Sequence, residues 1–168
     1  MVTTSPYRSL PPDRRIALLT HAISSSREAR ALYINRLVAR GGGFRAVTLQ
    51  AWPVDRLVSE IARRKAESAQ DELDLLQLLY VELEPSIQIT FLEAAGVAHD
   101  NGRIPEQLDP PYADDAAVRR AAAAVHERHG ADGMHYLRTL VRYSPAAWPG
   151  IDVVTSELDT GDGVTGAP

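Results

Sequence analysis

The sequence predicts an all-α fold, on three observations. Apolar residues recur at i, i+3, i+4 and i+7, most cleanly at Val54, Leu57, Val58 and Ile61. Such stretches are bounded by helix signals, with Pro, Ser or Asp ahead and Gly or basic residues behind. The run Leu73 to Leu83 is apolar almost all round a helical wheel, as in a central element covered from several sides. Together these predict one domain of five or six helices over residues 10–150, packed around that run. A flexible N-terminus over 1–9 and a disordered acidic tail over 151–168 flank it. A chain of 168 residues buries roughly 70% of its unfolded surface, enough for a core without staples.

Leu10-Pro11-Pro12-Asp13 opens the first helix, because proline is tolerated in a first turn and an early acid suits the positive dipole end. Ile16, Leu19 and Ile23 supply its apolar face. Ser24-Ser25-Ser26 interrupts it, and Ser25 with Glu28 has the S-x-x-E form that opens a second helix. The stripe of that helix is Ala29, Leu32, Tyr33, Leu37 and Val38, and Gly41-Gly42-Gly43 supplies a left-handed cap. Phe44 to Leu49 reads as extended or loop. Trp52-Pro53 restarts a helix that closes on Arg63-Arg64-Lys65. Ser68 with Asp71 opens the Leu73–Leu83 helix; Pro85 ends it and begins another, Ile87 to Ala95, stopped by Gly96. The alternation Ile87-Gln88-Ile89-Thr90-Phe91 also suits a strand. An α+β alternative therefore stands, with 44–49, 87–91 and 151–154 paired in a small sheet.

Ala98 to Asp115 contains Asp100-Asn101-Gly102, Pro105, Pro110 and Pro111 and reads as a long loop, of a length that is often functional. Asp114 and Asp115 then open a helix with a small face, Val118, Ala121, Ala122 and Val125, ended by Gly130. Asp132 to Tyr143 makes a last helix, stopped by Ser144-Pro145. Thr155 to Pro168 has almost no large apolar group to bury, hence the expected disorder.

Charge is strongly polarised along the chain. Residues 1–66 carry twelve Arg/Lys against four Asp/Glu, net +8, while 67–168 carry six against eighteen, net −12. The halves therefore pair with each other, within the fold or across subunits, or one offers a charged face to a partner. The candidate interaction residues are Arg45, Arg56, Arg63, Arg64 and Lys65 with Trp52, together with Tyr112 of the long loop. Another protein or self-association is the expected partner. Nucleic acid is the alternative: the arginines of the basic half would neutralise phosphates, with Phe44 or Trp52 stacking on a base. A pI of about 5.7 and the lack of any helix-turn-helix pattern weigh against it.

Catalytic signatures are missing. His126 and His129 lie at i, i+3, with His135 beyond Gly130, so a metal or enzyme site centred on these three is the remaining alternative. The spacing departs from H-x-x-x-H, and no metal or cofactor is assigned. Gly41-Gly42-Gly43 lacks the Gly-Lys-Ser/Thr and the preceding strand of a phosphate loop. Asp100-Asn101-Gly102 lacks the alternating ligands and terminal Glu of a calcium loop. Zero cysteines exclude disulfides and thiol chemistry and suit a reducing cytoplasm. Met1 to Pro12 has no apolar leader segment, and the richest apolar stretch, Leu73 to Phe91, is cut by Glu82, Glu84 and Pro85. The expectation is a soluble, non-enzymatic, cytoplasmic interaction or regulatory module. Seventeen Arg against one Lys, beside many Ala, match a GC-rich, bacterial-type genome.

Overall fold

The computed structural model describes residues 4–161. It is all-α: no strands pair among the described residues, where the β bonding noted is one isolated bridge between Asp100 and Arg103. In chain order the helices are α1 (Pro6–Ser9), α2 (Pro12–Ser25), α3 (Arg27–Ala39), α4 (Ala46–Gln50), α5 (Val54–Arg64) and α6 (Ala69–Leu78). A π-helical turn, Leu79–Leu83, follows directly, then α7 (Pro85–Ala95), α8 (Asp115–Tyr143), a 3-10 turn (Pro145–Ala147) and α9 (Ile151–Gly161). Contacts group the chain into two compact units, Met1–Leu78 and Leu79–Pro168. The apolar run Leu73–Leu83 is thus divided, Leu75 and Leu76 being buried in the first unit and Leu79 and Tyr80 in the second, while Leu83 is exposed. Among the described residues no helix is long and apolar enough to cross a membrane.

In the first unit α5 packs on α2 and α3. Leu57, Val58 and Ile61 are buried, as their spacing predicts. Of the faces expected for α2 and α3, Leu19, Ile23, Tyr33 and Leu37 are buried, whereas Ile16, Leu32 and Val38 are exposed and Leu18 and Ile34 join the core. The start of α3 is also shifted by one residue. Ser26, not Ser25, accepts from the Ala29 N–H at 3.0 Å, and the Ser25 hydroxyl turns back to the Ala22 carbonyl. Of residues 44–49, only the start is extended, at Arg45; from Ala46 the chain forms α4, pinned by the fully buried Leu49.

Nor is 1–9 flexible where it is described; residues 1–3 lie outside that range. Tyr7 is fully buried, and its hydroxyl donates to Glu67 Oε1 at 2.9 Å. Burial first, and then the Glu67 charge, push the Tyr7 phenol far above its ordinary value, so it remains a donor. Arg8 donates from Nε to Glu72 Oε1 at 2.6 Å and lies 3.3 Å from Glu67 Oε2. At the head of α6, Ser68 and Asp71 close a reciprocal box: Ser68 N–H to Asp71 Oδ2 at 2.7 Å, Asp71 N–H to Ser68 Oγ at 3.1 Å. Arg36 adds a bond to Asp71 Oδ2 at 3.1 Å.

The second unit is built on α7, α8 and α9. Residues 87–91 are helical because Pro85 supplies the first turn and Gly96, at φ +72°, the left-handed cap; Ile87, Phe91 and Ala95 then fall on one buried face. Phe91 meets Trp148 edge-on at 4.9 Å and Tyr136 at 5.7 Å. Asp114 caps α8 by accepting from the Ala117 N–H at 2.8 Å. The helix breaks at Gly130 (φ +52°, ψ −125°), so its two halves are the two helices expected there. The halves approach closely enough that a Cβ at Gly133 would lie 2.6 Å from the Val125 carbonyl oxygen.

The expected disordered tail is helical as far as it is described, and 162–168 lie outside the described residues. Ile151 and Val154 bury one face of α9. Thr155 is also buried, its hydroxyl satisfied by donating to the Ile151 carbonyl at 2.6 Å. Glu157 and Asp159 pair with Arg119 and Arg138 of α8. Acid-rich composition had suggested solvation, but these acids face arginines.

Two stability predictions follow from these contacts. Arg8→Met leaves Glu67 and Glu72 buried without their cation, which costs about 3–5 kcal/mol and lowers the urea midpoint accordingly; an unchanged midpoint would mean that α1 contributes nothing. Gly133→Ala forces a methyl against backbone and costs about 1–3 kcal/mol in the same assay, far more than a neutral surface change.

Candidate functional site

The chemistry-bearing side chains of the first unit converge on the segment 42–65. Phe44 and Trp52 bracket the five-residue α4, which turns the chain so that their rings meet edge-on at 5.0 Å. Pro53 then starts α5, where Arg56, Glu60 and Arg64 recur every fourth residue and so share one face. The Arg56 guanidinium lies 4.0 Å from the centre of the Trp52 ring, and that of Arg64 lies 5.1 Å from Phe44. Arginine, phenylalanine, tryptophan and arginine thus form one continuous stack, each cation on a ring.

Three contacts fix this stack. Glu60 accepts from Arg63 Nε at 3.0 Å and from Arg64 Nε. Those bonds, Arg63's first, hold the Glu60 carboxyl down from an ordinary 4.5 to about 2. Arg30 donates to the carbonyls of Gln50 at 3.1 Å and Trp52 at 2.6 Å, which closes the end of α4. Gly42 leaves room for the Arg64 guanidinium, into which a Cβ would run.

Of the cations expected to meet a partner, Arg63 and Arg64 are therefore largely spent on Glu60. Arg45 and Lys65 are exposed and make no ion pair among the described residues. Arg45 follows Phe44 in the chain and Lys65 follows Arg64, so each of the two flanks one member of the Phe44–Arg64 stack. Lys65 holds a left-handed conformation, φ +49° and ψ +51°, at the end of α5. Its N–H donates to the Ala62 carbonyl at 3.3 Å, and that of Ala66 to Ile61 at 3.1 Å, a cap that normally takes glycine. Two residues beyond Arg45, Val47 is 70% exposed. Glu60 is the member that the sequence reading missed, although Glu60-x-x-Arg63-Arg64 is a legible i, i+3, i+4 pairing pattern. Nothing in the sequence marks Val47 as exposed.

Tyr112 belongs to the second unit, where its ring lies 5.2 Å from Trp148 and its N–H donates to the Ala147 carbonyl at 3.1 Å. Of the three histidines of the expected metal or enzyme site, His129 and His135 are taken up by separate partners. Thr90 donates its hydroxyl to the Ser86 carbonyl and so accepts from His129 Nε2 at 3.0 Å; Tyr80 shares a hydrogen bond with His135 Nδ1. Among the described residues no group of three His, Asp or Glu side chains is arranged to hold a metal. The sequence matches no family model, and neither curated proteins nor solved structures give a match.

Glu60 gives a pH prediction with a definite sign. A carboxyl held below its unfolded value binds its proton later than the unfolded chain does, so its pairing stabilises fully above pH 4.5 and fades as pH falls toward 2. Glu60→Gln flattens that limb of the stability–pH curve in denaturant titrations. Parallel limbs in the two proteins would show that the arginine clamp is not formed.

Proposed function

We propose that the chain is a non-enzymatic interaction module whose working surface is the arginine–aromatic face of residues 44–65 and whose partner is an acidic polypeptide. The observation that carries this reading is that Arg45 and Lys65, exposed and without an ion pair among the described residues, each adjoin in sequence a member of the Phe44–Arg64 stack, with Val47 exposed two residues beyond Arg45. Exposed cations that no acid neutralises, with an exposed apolar side chain in the same segment, suit a protein surface of the opposite sign. Nucleic acid is the second reading, favoured by the placement of two aromatic rings among arginines. Against it, Arg56 and Arg64 already occupy ring faces that a base would need, and Glu60 stands among the phosphate-seeking cations.

Trp52 is half-buried at this surface, whereas Trp148 is buried in the second unit, so tryptophan emission reports on the face. Titration with polyglutamate is expected to shift that emission, less so at high salt, and titration with oligothymidylate to leave it unchanged. Lys65→Gly separates binding from folding: glycine relieves a left-handed backbone, so stability holds or rises while polyglutamate affinity falls. A response to oligothymidylate alone would reverse the order of the two readings.

A further inference from the structure

The second unit carries, in its longest loop, a surface complementary to this face. Asp100-Asn101-Gly102-Arg103 is a tight two-residue turn, its ends exchanging N–H···O bonds of 2.9 Å in both directions. It is anchored by His99 Nδ1, which accepts from the Gly102 N–H at 3.2 Å, and by Gln88, which donates to the Gly102 carbonyl. From this base the chain makes a second turn, Pro105–Leu108, closed by the Leu108 N–H on the Pro105 carbonyl at 3.0 Å. Glu106 and Leu108 lie in this turn and Asp109 directly follows it. Both acids are exposed and make no ion pair among the described residues, and Leu108 is 38% exposed. One exposed apolar side chain with an unpaired acid on either side in sequence mirrors the exposed Val47, which follows two residues after the unpaired Arg45.

We infer that this turn docks on the arginine–aromatic face of a second copy of the chain, Glu106 and Asp109 meeting Arg45 and Lys65, with Leu108 against Val47. The inference rests on the proposed role of that face and names its occupant. Residues 1–78 carry twelve Arg/Lys against eight Asp/Glu, net +4, and 79–168 six against fourteen, net −8, so copies attract through unlike units. A contact between two different patches is heterologous and either closes into a ring or continues as a chain. A turn tip covers far less than a standard interface, so the association is weak, in the micromolar to millimolar range, and salt-sensitive.

Sedimentation velocity of the full chain is expected to show a weight-average coefficient that rises with concentration at about 0.05 M salt and barely at about 0.5 M. Arg45→Glu with Lys65→Glu makes both surfaces acidic; Glu106→Arg with Asp109→Arg makes both basic. Each double variant alone is expected to be monomeric, with an unchanged melting curve because the altered side chains make no ion pair among the described residues. An equimolar mixture of the two is expected to associate again, since every contact across it is complementary. A wild-type chain monomeric up to about 1 mM, or a mixture that stays monomeric, overturns the inference. If polyglutamate still shifts Trp52 emission in that event, the face keeps its role and only the second copy is rejected; if it does not, both readings fall.

Discussion

The first unit depends on three carboxylates that folding takes out of water. Glu67, Asp71 and Glu72 crowd the start of α6, and all three are buried. Such groups persist inside a protein only where donors and cations meet them. Their partners come from far back in the chain: Tyr7 and Arg8 from α1, Arg36 from α3. Satisfying them therefore fixes where α1, α3 and α6 meet, and the apolar side chains of those helices fill the space between. Asp71 also closes the Ser68 box, so one carboxylate serves both the start of a helix and a tertiary contact.

This arrangement explains half of the charge asymmetry. The basic stretch 1–66, net +8, meets residues 67–78, Glu67 and α6, which bring four acids and no base and leave the unit at +4. What remains is unevenly disposed, because Glu60 absorbs Arg63 and Arg64, while Arg56 lies against a ring. Around the stack, the cations left to solvent are Arg45 and Lys65, whose neighbours Phe44 and Arg64 are committed to it. A surface of this kind follows from internal pairing that stops short of completion, and its residual charge is more local than a count along the sequence suggests.

The fold class was legible because it rests on local signals: capping residues, prolines, glycines and a repeat of 3.6. α5, α7 and the two halves of α8 were placed from these within a residue or two. Errors arose where tertiary contacts override local pattern. The alternation at 87–91 is a strand signal only if Pro85 and Gly96 are ignored. α4 is too short to show a period and forms because Leu49 is buried. Leu32 and Val38 were expected inside and Ile34 was passed over, because a helix with apolar residues on several sides does not declare which side faces the core. α1 was expected flexible and α9 disordered, yet Arg8 of the one and Glu157 and Asp159 of the other are matched by ion pairs to residues distant in sequence, which composition does not reveal. Of the candidate site, the arginines and Trp52 were legible as types; the stack joining them was not, since it depends on a turn that the sequence presented as loop.

Small contacts succeed only when little freedom is lost in making them. Lys65 is locked by a left-handed cap, Arg45 lies in extended backbone at the start of α4, and Arg64 is wedged between Glu60, Phe44 and the Gly42 backbone. On the acidic side, Glu106 rides on a hydrogen-bonded turn that follows a second tight turn with its own anchors. Both surfaces thus present charge from backbone that is already ordered, although each lies in or beside a loop. A left-handed lysine costs about 1–2 kcal/mol that glycine would not, so holding it there is intelligible if the ammonium is used where it stands.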